Sequence, residues 1–588
     1  MSSIGSPGRT AERHPDLATP VASTNRQPKS RYHKLVPSRE QKRRPSIAQA
    51  APAESPRRQA SRLLERRSRL LGILLVLIAT VRVAATYTVF NHTTDEPAHI
   101  ACGMQWLDRH VYLYEPQHPP LARVAAALGP YLLGIRSQDT PGTGFGQESL
   151  EGAKILYRDH HYDLTLAMAR LAILPFFWVA CLVVYAWGRR FYGPSVAAIA
   201  LFFFSFLPPI LAHASLATTD MALTAFLGAA FLTCLQWVAQ PTWKRGLLFG
   251  AATGLAAISK FSSLVYLPAS LALALAGYLF FIRPTAATLL ARVKERLPSF
   301  GLAVSTGALI IAAIYRFSLA AFFAGIQAVE AHNAEGHIAY LLGRQSTSGF
   351  WYFYPVVLAV KTPLALVILL AAALWWACRE PGRVQRHWPV LAFVAGILLV
   401  ALFSRINIGV RHILPVYFGF SLLTAAAVVD WMGQAQTRTW MRAAIAVLLL
   451  WFAGSSLLCH PDYLAYTNEL AGSAPEKILA DSDLDWGQDM KRLSARLREA
   501  GAPQVAFSPT IIADFEGELG FPRVIQSSPV APSPGWNAVS LSLWKVRRMG
   551  LLQTHPEAVL WPDRVPPGER VGKGVMLWYF RPPTDGPK

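Results

Sequence analysis

The chain has 588 residues, 53% of them hydrophobic and only 15% charged, against roughly 25% charged in an ordinary soluble domain; a soluble globular protein is excluded. Its formal charge of +21 invites a nucleic-acid reading, but residues 1–69 alone hold sixteen Lys and Arg against five Asp and Glu. About half the excess therefore sits in one tail, where no aromatic or glycine motif is interleaved with the charges, and nucleic acid is not expected as a partner.

Residues 1–69 are rich in Pro, Ser, Ala and Arg and have no sustained apolar period, so they cannot bury enough surface to offset their ordering entropy. They are expected to form a disordered, basic, cytoplasmic tail attracted to anionic lipid, at roughly 1 kcal/mol per Lys or Arg near the surface. The first apolar run, about 70–90, is too long and too far from the N-terminus for a cleaved signal peptide and is predicted as a signal anchor. Further runs at about 164–187, 194–213, 219–239, 246–259, 262–282, 298–317, 353–377, 388–404, 412–431 and 441–458 bring the predicted spans to about eleven. One of them, 246–259, reaches only ~21 Å at 1.5 Å per residue.

Arg189 and Arg190, Lys244 and Arg245, Arg283 to Arg296, Arg379 to Arg386, and Arg438 with Arg442 fall in alternate connections. The positive-inside rule puts those connections and the N-terminus in the cytoplasm and the C-terminus outside a plasma (inner) membrane. Residues 70–460 are then a multi-pass helical membrane domain, with residues 91–163 as a long first outer loop. That loop contains "AHIACGMQWL" and "LARVAAALGPYLLG", whose helical apolar spacing predicts helices lying along the membrane surface. From 461 to 588 the composition turns soluble, with a helix-like "WGQDMKRLSARLREAG" and strand-like "QVAFS", "AVSLSLWKV" and "GVMLWYF"; a small extracytoplasmic α/β domain is expected. Of five cysteines, Cys102 and Cys459 share the outer side, where their pairing is left open, and no metal-ligand spacing is present.

The outer side also collects ionisable residues. "TTDEPAHI" places Asp95, Glu96 and His99 where the first span ends, and "PQHPPLARV" adds His118 and Arg123. Asp220 follows in "LATTDMAL", Lys260 in "ISKFSSL", Lys361 in "AVKTPL", and Arg405, Arg411 and His412 in "SRINIGVRHILP". Cations that gather on the outer face against the usual bias need an anionic partner. Two readings stay open for the acidic pair: Thr94 or Asp95 caps a helix that has Pro97 in its first turn, or Asp95 is a base that takes a proton from a hydroxyl. Two likewise stay open for the cations, which either pair with carboxylates, Asp220 with Lys260 for instance, or hold a phosphate. Transfer of a sugar from a polyprenyl phosphate to an alcohol needs both a base and positive charge for the departing phosphate.

At these residues the chain resembles the GT-C superfamily of integral membrane glycosyltransferases, in the branch of protein O-mannosyltransferases and lipid A aminoarabinose transferases. "TTDEPAHI", "HPPL", "TTDMAL", "SKFSSLVYLP" and "RHILPVY" carry the resemblance over about residues 70 to 460. It implies Asp95 as general base with inversion at the anomeric carbon, Glu96 orienting Asp95 or the acceptor, and Lys260, Arg411, Arg405 and Lys361 holding donor phosphate. It also implies a metal-independent enzyme that needs no cofactor beyond its lipid-linked sugar donor, with a protein, lipid or glycan hydroxyl as acceptor. Where mannosyltransferases of this kind read "HPPLGK", this chain reads "HPPLAR", so Arg123 stands in the lysine's place. The "WWDxG" motif of oligosaccharyltransferases is missing, and "DWG" at Asp485 to Gly487 is a poor substitute.

Asp481 to Asp489, "DSDLDWGQD", space their carboxylates like the start of a calcium loop, but Arg492 occupies the twelfth position, so helix capping is expected instead. Glu330, His332, Glu335 and His337 are read as a solvated loop rather than zinc ligands. The rival function is a transporter or flippase of lipid-linked sugars. Such proteins place polar sites near the midplane and show internal repeats, and neither is evident here.

Overall fold

A computed structural model describes residues 56–140, 146–434, 436–546 and 559–582. The expected disorder of residues 1–55 lies outside the described residues, whereas 56–69, also expected in the tail, continue the first helix. Residues Arg57–Lys588 form one compact unit.

The first helix, α1, runs Pro56–Ala84. The loop that follows carries α2 (Glu96–Met104), α3 (Pro120–Leu132) and α4 (Gln147–Tyr157), which pack on one another. Next come α5 (Tyr162–Leu171), α6 (Leu174–Phe191), α7 (Pro194–Phe206), α8 (Pro208–Ala214), α9 (Asp220–Ala239), α10 (Trp243–Ala257), α11 (Ser263–Ile282), α12 (Ala286–Ile314) and α13 (Leu319–Glu335). After a short hairpin, β1 (Ala339–Leu341) and β2 (Arg344–Ser346), follow α14 (Phe353–Lys361), α15 (Leu364–Cys378), α16 (Pro381–Leu402), α17 (Val416–Gly433) and α18 (Thr439–Leu458).

Among the described residues, seven helices are long and apolar enough to cross a membrane, or up to nine if each of two bent pairs is one span. The protein is thus a helical, multi-pass membrane protein. Two of the eleven expected spans do not qualify: Arg82 interrupts the apolar run of α1, and α10 has only 15 residues. The bent pairs are α7 with α8, at 66°, and α14 with α15, at 118°. Both breaks fall at an X-Pro step, where the ring of proline forces the preceding residue into extended backbone: Leu207 has φ −65° and ψ 123°, and Thr362 has φ −92° and ψ 132°.

Glycines set a close helix contact. In α10, Gly246, Gly250 and Gly254 recur every fourth residue on the face that meets α12. A Cβ at Gly250 would lie 2.1 Å from the Ala303 carbonyl oxygen, and one at Gly246 2.5 Å from that of Ser299. Small residues at this spacing let backbones approach where lipid supplies no hydrophobic drive, which is how so short a helix stays fixed.

Beyond α18, helix α19 (Met490–Glu499) buries Met490, Leu493 and Leu497. It packs on a sheet of β3 (Gln504–Phe507), β4 (Arg523–Ile525), β5 (Gly535–Ser540), β6 (Glu569–Val571) and β7 (Val575–Phe580) in the order β4-β3-β5-β7-β6. Strand β3 runs parallel to β4 and β5, and β7 antiparallel to β5 and β6. The expected strand "AVSLSLWKV" is strand only as far as Ser540 and then turns into a helical segment, Leu541–Lys545, because the Ser540 hydroxyl accepts the Leu543 amide and caps it. The main apolar core continues unbroken from Phe204 and Phe418 in the helices to Tyr463, Leu479, Met490 and Val505.

Candidate active site

Asp95 follows α1, Asp220 opens α9, Lys260 follows α10 and Arg411 precedes α17, so four residues far apart in sequence meet at one end of the bundle. Lys244 and Arg245 stand at the other end of α9, about 30 Å away for 20 residues. The four line or adjoin a cavity of about 1000 Å³, the upper end of the range for ligand pockets. Its walls come from the first loop, the α10–α11 turn, α13, the segment between α16 and α17, and the segment after Ala480.

Asp95 occupies the N-cap position of α2 but makes no capping hydrogen bond. Its Oδ2 instead accepts from Arg411 Nη1 at 2.9 Å, and its side chain remains 30% exposed to the cavity. Asp220 is fully buried; Oδ1 accepts from Lys260 Nζ at 2.7 Å, and Oδ2 lies 4.0 Å from both Arg411 Nη1 and His213 Nδ1. The carboxylate pairing foreseen for Lys260 is therefore present, yet both cations keep donors in reserve. Lys260 spends one of three N–H groups on Asp220, and the Nε of Arg411 is buried without a partner.

Glu96 points elsewhere. It does not line the cavity, and its carboxylate is enclosed by five donors: Thr93 N at 2.8 Å, Thr93 Oγ1 at 3.2 Å, Arg170 Nε and Nη2 at 2.8 Å each, and Ala217 N at 2.9 Å. Burial alone would raise its pKa, but the Arg170 guanidinium overrides that and holds the carboxyl below the usual range. Arg170 in turn donates to the carbonyls of Tyr87, Phe90 and Asn91. Glu96, for which orienting Asp95 or the acceptor was implied, faces no acceptor in the cavity; its cage fixes the loop before α2, which ends at Asp95.

Burial lowers the pKa of three histidines near the cavity, His99, His118 and His412. His99 Nδ1 accepts from Arg123 Nε at 3.0 Å, and burial, with the Arg123 charge, holds its pKa well below the ordinary value. His118, whose ring lies 5.4 Å from that of His99, is lowered to about 3 by burial and then by Lys260. His412 lines the cavity and is lowered by burial, Lys260 and Arg411. Arg123 is fully buried on α3 and binds Glu115, Tyr112 and His99 rather than facing the cavity. Lys361 and Arg405 are also placed away from it. Lys361 Nζ donates to the carbonyls of Leu464 at 2.7 Å and Asp483 at 2.6 Å, and Arg405 is exposed, donating to Ala334 O at 3.2 Å.

Asp481, Asp485, Trp486, Thr510 and Ser542 complete the wall; the sequence reading placed none of them there. The acidic stretch does not cap the helix that follows it: Asp489, at the N-cap of α19, makes no capping hydrogen bond. Asp485 Oδ2 accepts from Ser542 N at 2.8 Å, Asp489 Oδ2 from Lys573 N at 2.8 Å and Gly574 N at 2.9 Å, and Asp483 Oδ1 from Val410 N at 3.0 Å. Four carboxylates in nine residues were the available signal, more than a single cap requires. Among the described residues, no group of three or more His, Cys, Asp or Glu side chains could hold a metal ion. Glu330, His332 and His337 line the cavity, Glu335 does not, and Cys102 and Cys459 are both free.

The protein is a helical membrane protein with a charged cavity at one end, into which the Asp95 carboxylate opens beside Arg411. Residues 165–315 match the family model described as Dolichyl-phosphate-mannose-protein mannosyltransferase, and the chain resembles the GT-C membrane glycosyltransferases, as its motifs imply. Comparison with curated proteins returns no match. Similar solved structures include ArnT from Cupriavidus metallidurans bound to undecaprenyl phosphate, at 14% identity over 86% of this chain and 97% of that one, TM-score 0.45. AglB from Archaeoglobus fulgidus, an archaeal oligosaccharyltransferase, is similar at 13% identity over 68% and 56%, TM-score 0.43. The S. cerevisiae protein O-mannosyltransferase Pmt1-Pmt2 complex is similar at 16% identity over 45% and 34%, TM-score 0.31.

Proposed function

We propose that the protein transfers a single sugar from a polyprenyl-phosphate donor to a hydroxyl at the extracytoplasmic face, with the N-terminus in the cytoplasm. The observation that carries this reading is the Asp95 carboxylate, partly open to a cavity of about 1000 Å³ and 2.9 Å from Arg411, with Lys260 on the same wall. Asp95 takes the proton of the acceptor hydroxyl as its oxygen attacks the anomeric carbon; the bond to the phosphate oxygen breaks, and the phosphate leaves with its electron pair. Negative charge growing on that phosphate is met by the positive charge of Arg411 and the free N–H groups of Lys260, both in place before the reaction begins. His99 Nδ1 already accepts from Arg123, and burial lowers His118 to about 3, which makes it a weak base; Asp95 is the base in this reading. The reading needs no metal, and protein, lipid and glycan hydroxyls all fit it as acceptors.

The test is reconstitution with labelled polyprenyl-phosphate sugars, comparing native protein with Asp95→Asn. Transfer is expected to fall by about 10²-fold or more while donor binding persists. Undiminished transfer in the variant removes Asp95 as the base.

A further inference from the structure

The two halves of the centre arrive on separate segments, Asp95 just before α2 and Arg411 in a one-turn 3-10 helix, Val410–Ile413, and neither is long enough to hold its partner in place. Both are docked on one stretch, Asp481–Met490. On the first side, the Trp486 carbonyl accepts Thr94 N at 3.0 Å and Thr94 Oγ1 at 3.2 Å, Gly487 O accepts Asn91 Nδ2 at 2.7 Å, and Asn91 Oδ1 accepts Met490 N at 2.8 Å. On the other, the Ser482 hydroxyl donates to Ile408 O and Asp483 Oδ1 accepts Val410 N. A Cβ at Gly409 would stand 2.6 Å from Ser482 Oγ, so the side chains of Ser482 and Asp483 press directly on the backbone there.

At the middle of this bracket the guanidinium of Arg411 lies 4.2 Å from the centroid of the Trp486 ring. The opposite constraint comes from His213, whose ring meets the indole edge-on at 6.4 Å. Trp486 is 4% exposed, so this cation–π contact is desolvated and strong for its kind. Arg411 has a single hydrogen bond to a side chain, the one to Asp95, and the indole face is what restricts the plane of its remaining donors. Asp481, at the edge of the bracket, holds φ +58°, a left-handed conformation that a non-glycine residue keeps only when its surroundings impose it.

We infer that Trp486 is a positioning residue: its carbonyl fixes the approach to Asp95, its ring fixes the plane of Arg411, and together they set the Asp95–Arg411 geometry. The bracket brings a segment from beyond the last span into the centre. The inference rests on the proposed transfer only for its kinetic consequence; the geometric consequence stands apart from it.

The experiment uses the full chain in nanodiscs with Trp486→Phe, which keeps an aromatic face, and Trp486→Leu, which removes it; both leave the backbone carbonyl in place. Modification of Asp95 by a water-soluble carbodiimide, followed by peptide mass spectrometry, reads its pairing with Arg411 directly. In Trp486→Leu, Asp95 is expected to label about tenfold faster than in native protein, and in Trp486→Phe within about twofold of it. In the transfer assay Trp486→Leu is expected to lose about tenfold in kcat with the acceptor KM little changed, and Trp486→Phe to recover most of the loss. Native labelling in a folded Trp486→Leu protein overturns the inference, as does equal behaviour of the Phe and Leu variants. If Trp486→Leu fails to fold, Trp486→Met takes its place under the same criteria. Native protein that transfers no sugar, yet whose Asp95 labelling responds to loss of the ring, sinks the transferase reading and leaves the positioning role standing.

Discussion

Replacing Glu96 with Gln changes one atom and is expected to cost about 3–5 kcal/mol of stability. The carboxylate accepts five hydrogen bonds and is 0% exposed, facing an Arg170 side chain that is 1% exposed. A Gln oxygen placed at Oε1 still accepts from Arg170 Nε and Ala217 N. Its amide nitrogen, however, turns two N–H donors toward Thr93 N and Arg170 Nη2, which are donors themselves. Two hydrogen bonds to a charged acceptor are lost at roughly 1.5–3 kcal/mol each, and the Arg170 cation keeps only the neutral amide oxygen and backbone carbonyls as acceptors. Equilibrium unfolding of the full chain in mixed SDS micelles measures the loss. The double variant Glu96→Gln with Arg170→Gln is expected to recover part of it, since no buried charge is then unpaired. A single variant within about 1 kcal/mol of native would refute the cage as a source of stability and reopen a chemical role for Glu96.

Asp483 is buried, which pushes its pKa up from 3.8 to about 6 against the opposing pull of Lys361. The folded state therefore binds this proton more tightly than the unfolded one; its stabilising contribution, about 3 kcal/mol, is full below pH ~4 and lost as pH rises to ~6. Asp483→Asn is expected to abolish that slope in limited proteolysis of residues 461–588 and to exceed native stability at neutral pH; a slope that survives refutes the assignment. Gly250→Ala is expected to cost about 1–3 kcal/mol by forcing α10 off α12, whereas Gly301→Ala, whose Cβ meets nothing within 4 Å, is expected to be neutral; equal effects refute the close contact. Arg411→Ala is expected to weaken polyprenyl-phosphate binding about 30-fold or more and free-acceptor binding much less, and equal losses argue against a phosphate role.

The gathering of ionisable residues at one end of the bundle was legible because run lengths and the alternation of basic connections constrain which segment ends lie together. Asp95, Asp220, Lys260 and Arg411 were legible for the same reason, since ionisable residues stranded at one membrane boundary are costly unless they meet. Glu96 was not, although it adjoins Asp95. The helix begins between them, so their side chains diverge, and the partner of Glu96, Arg170, is 74 positions away. Lys361 looked like its neighbours in composition, but the bend at Thr362 and Pro363 turns it toward the carbonyls of Leu464 and Asp483. That break could have been read from the X-Pro step, as could the one at Pro208. Gly246, Gly250 and Gly254 escaped notice because run length and charge do not register small residues. The acidic stretch after Ala480 was opaque for another reason: its carboxylates satisfy backbone amides of remote loops, and sequence spacing does not encode those distances.

The unbroken core that joins α7 and α17 to Tyr463, Leu479 and Val505 makes the region after the last span a poor module. Cutting the polypeptide at Leu458 would strip one side from the reaction chamber and leave greasy residues of the severed half facing water. Exchanging that half with a relative's would replace part of the chamber as well as its covering. Any change in what the cavity admits must then be negotiated jointly by residues on both sides of the last span.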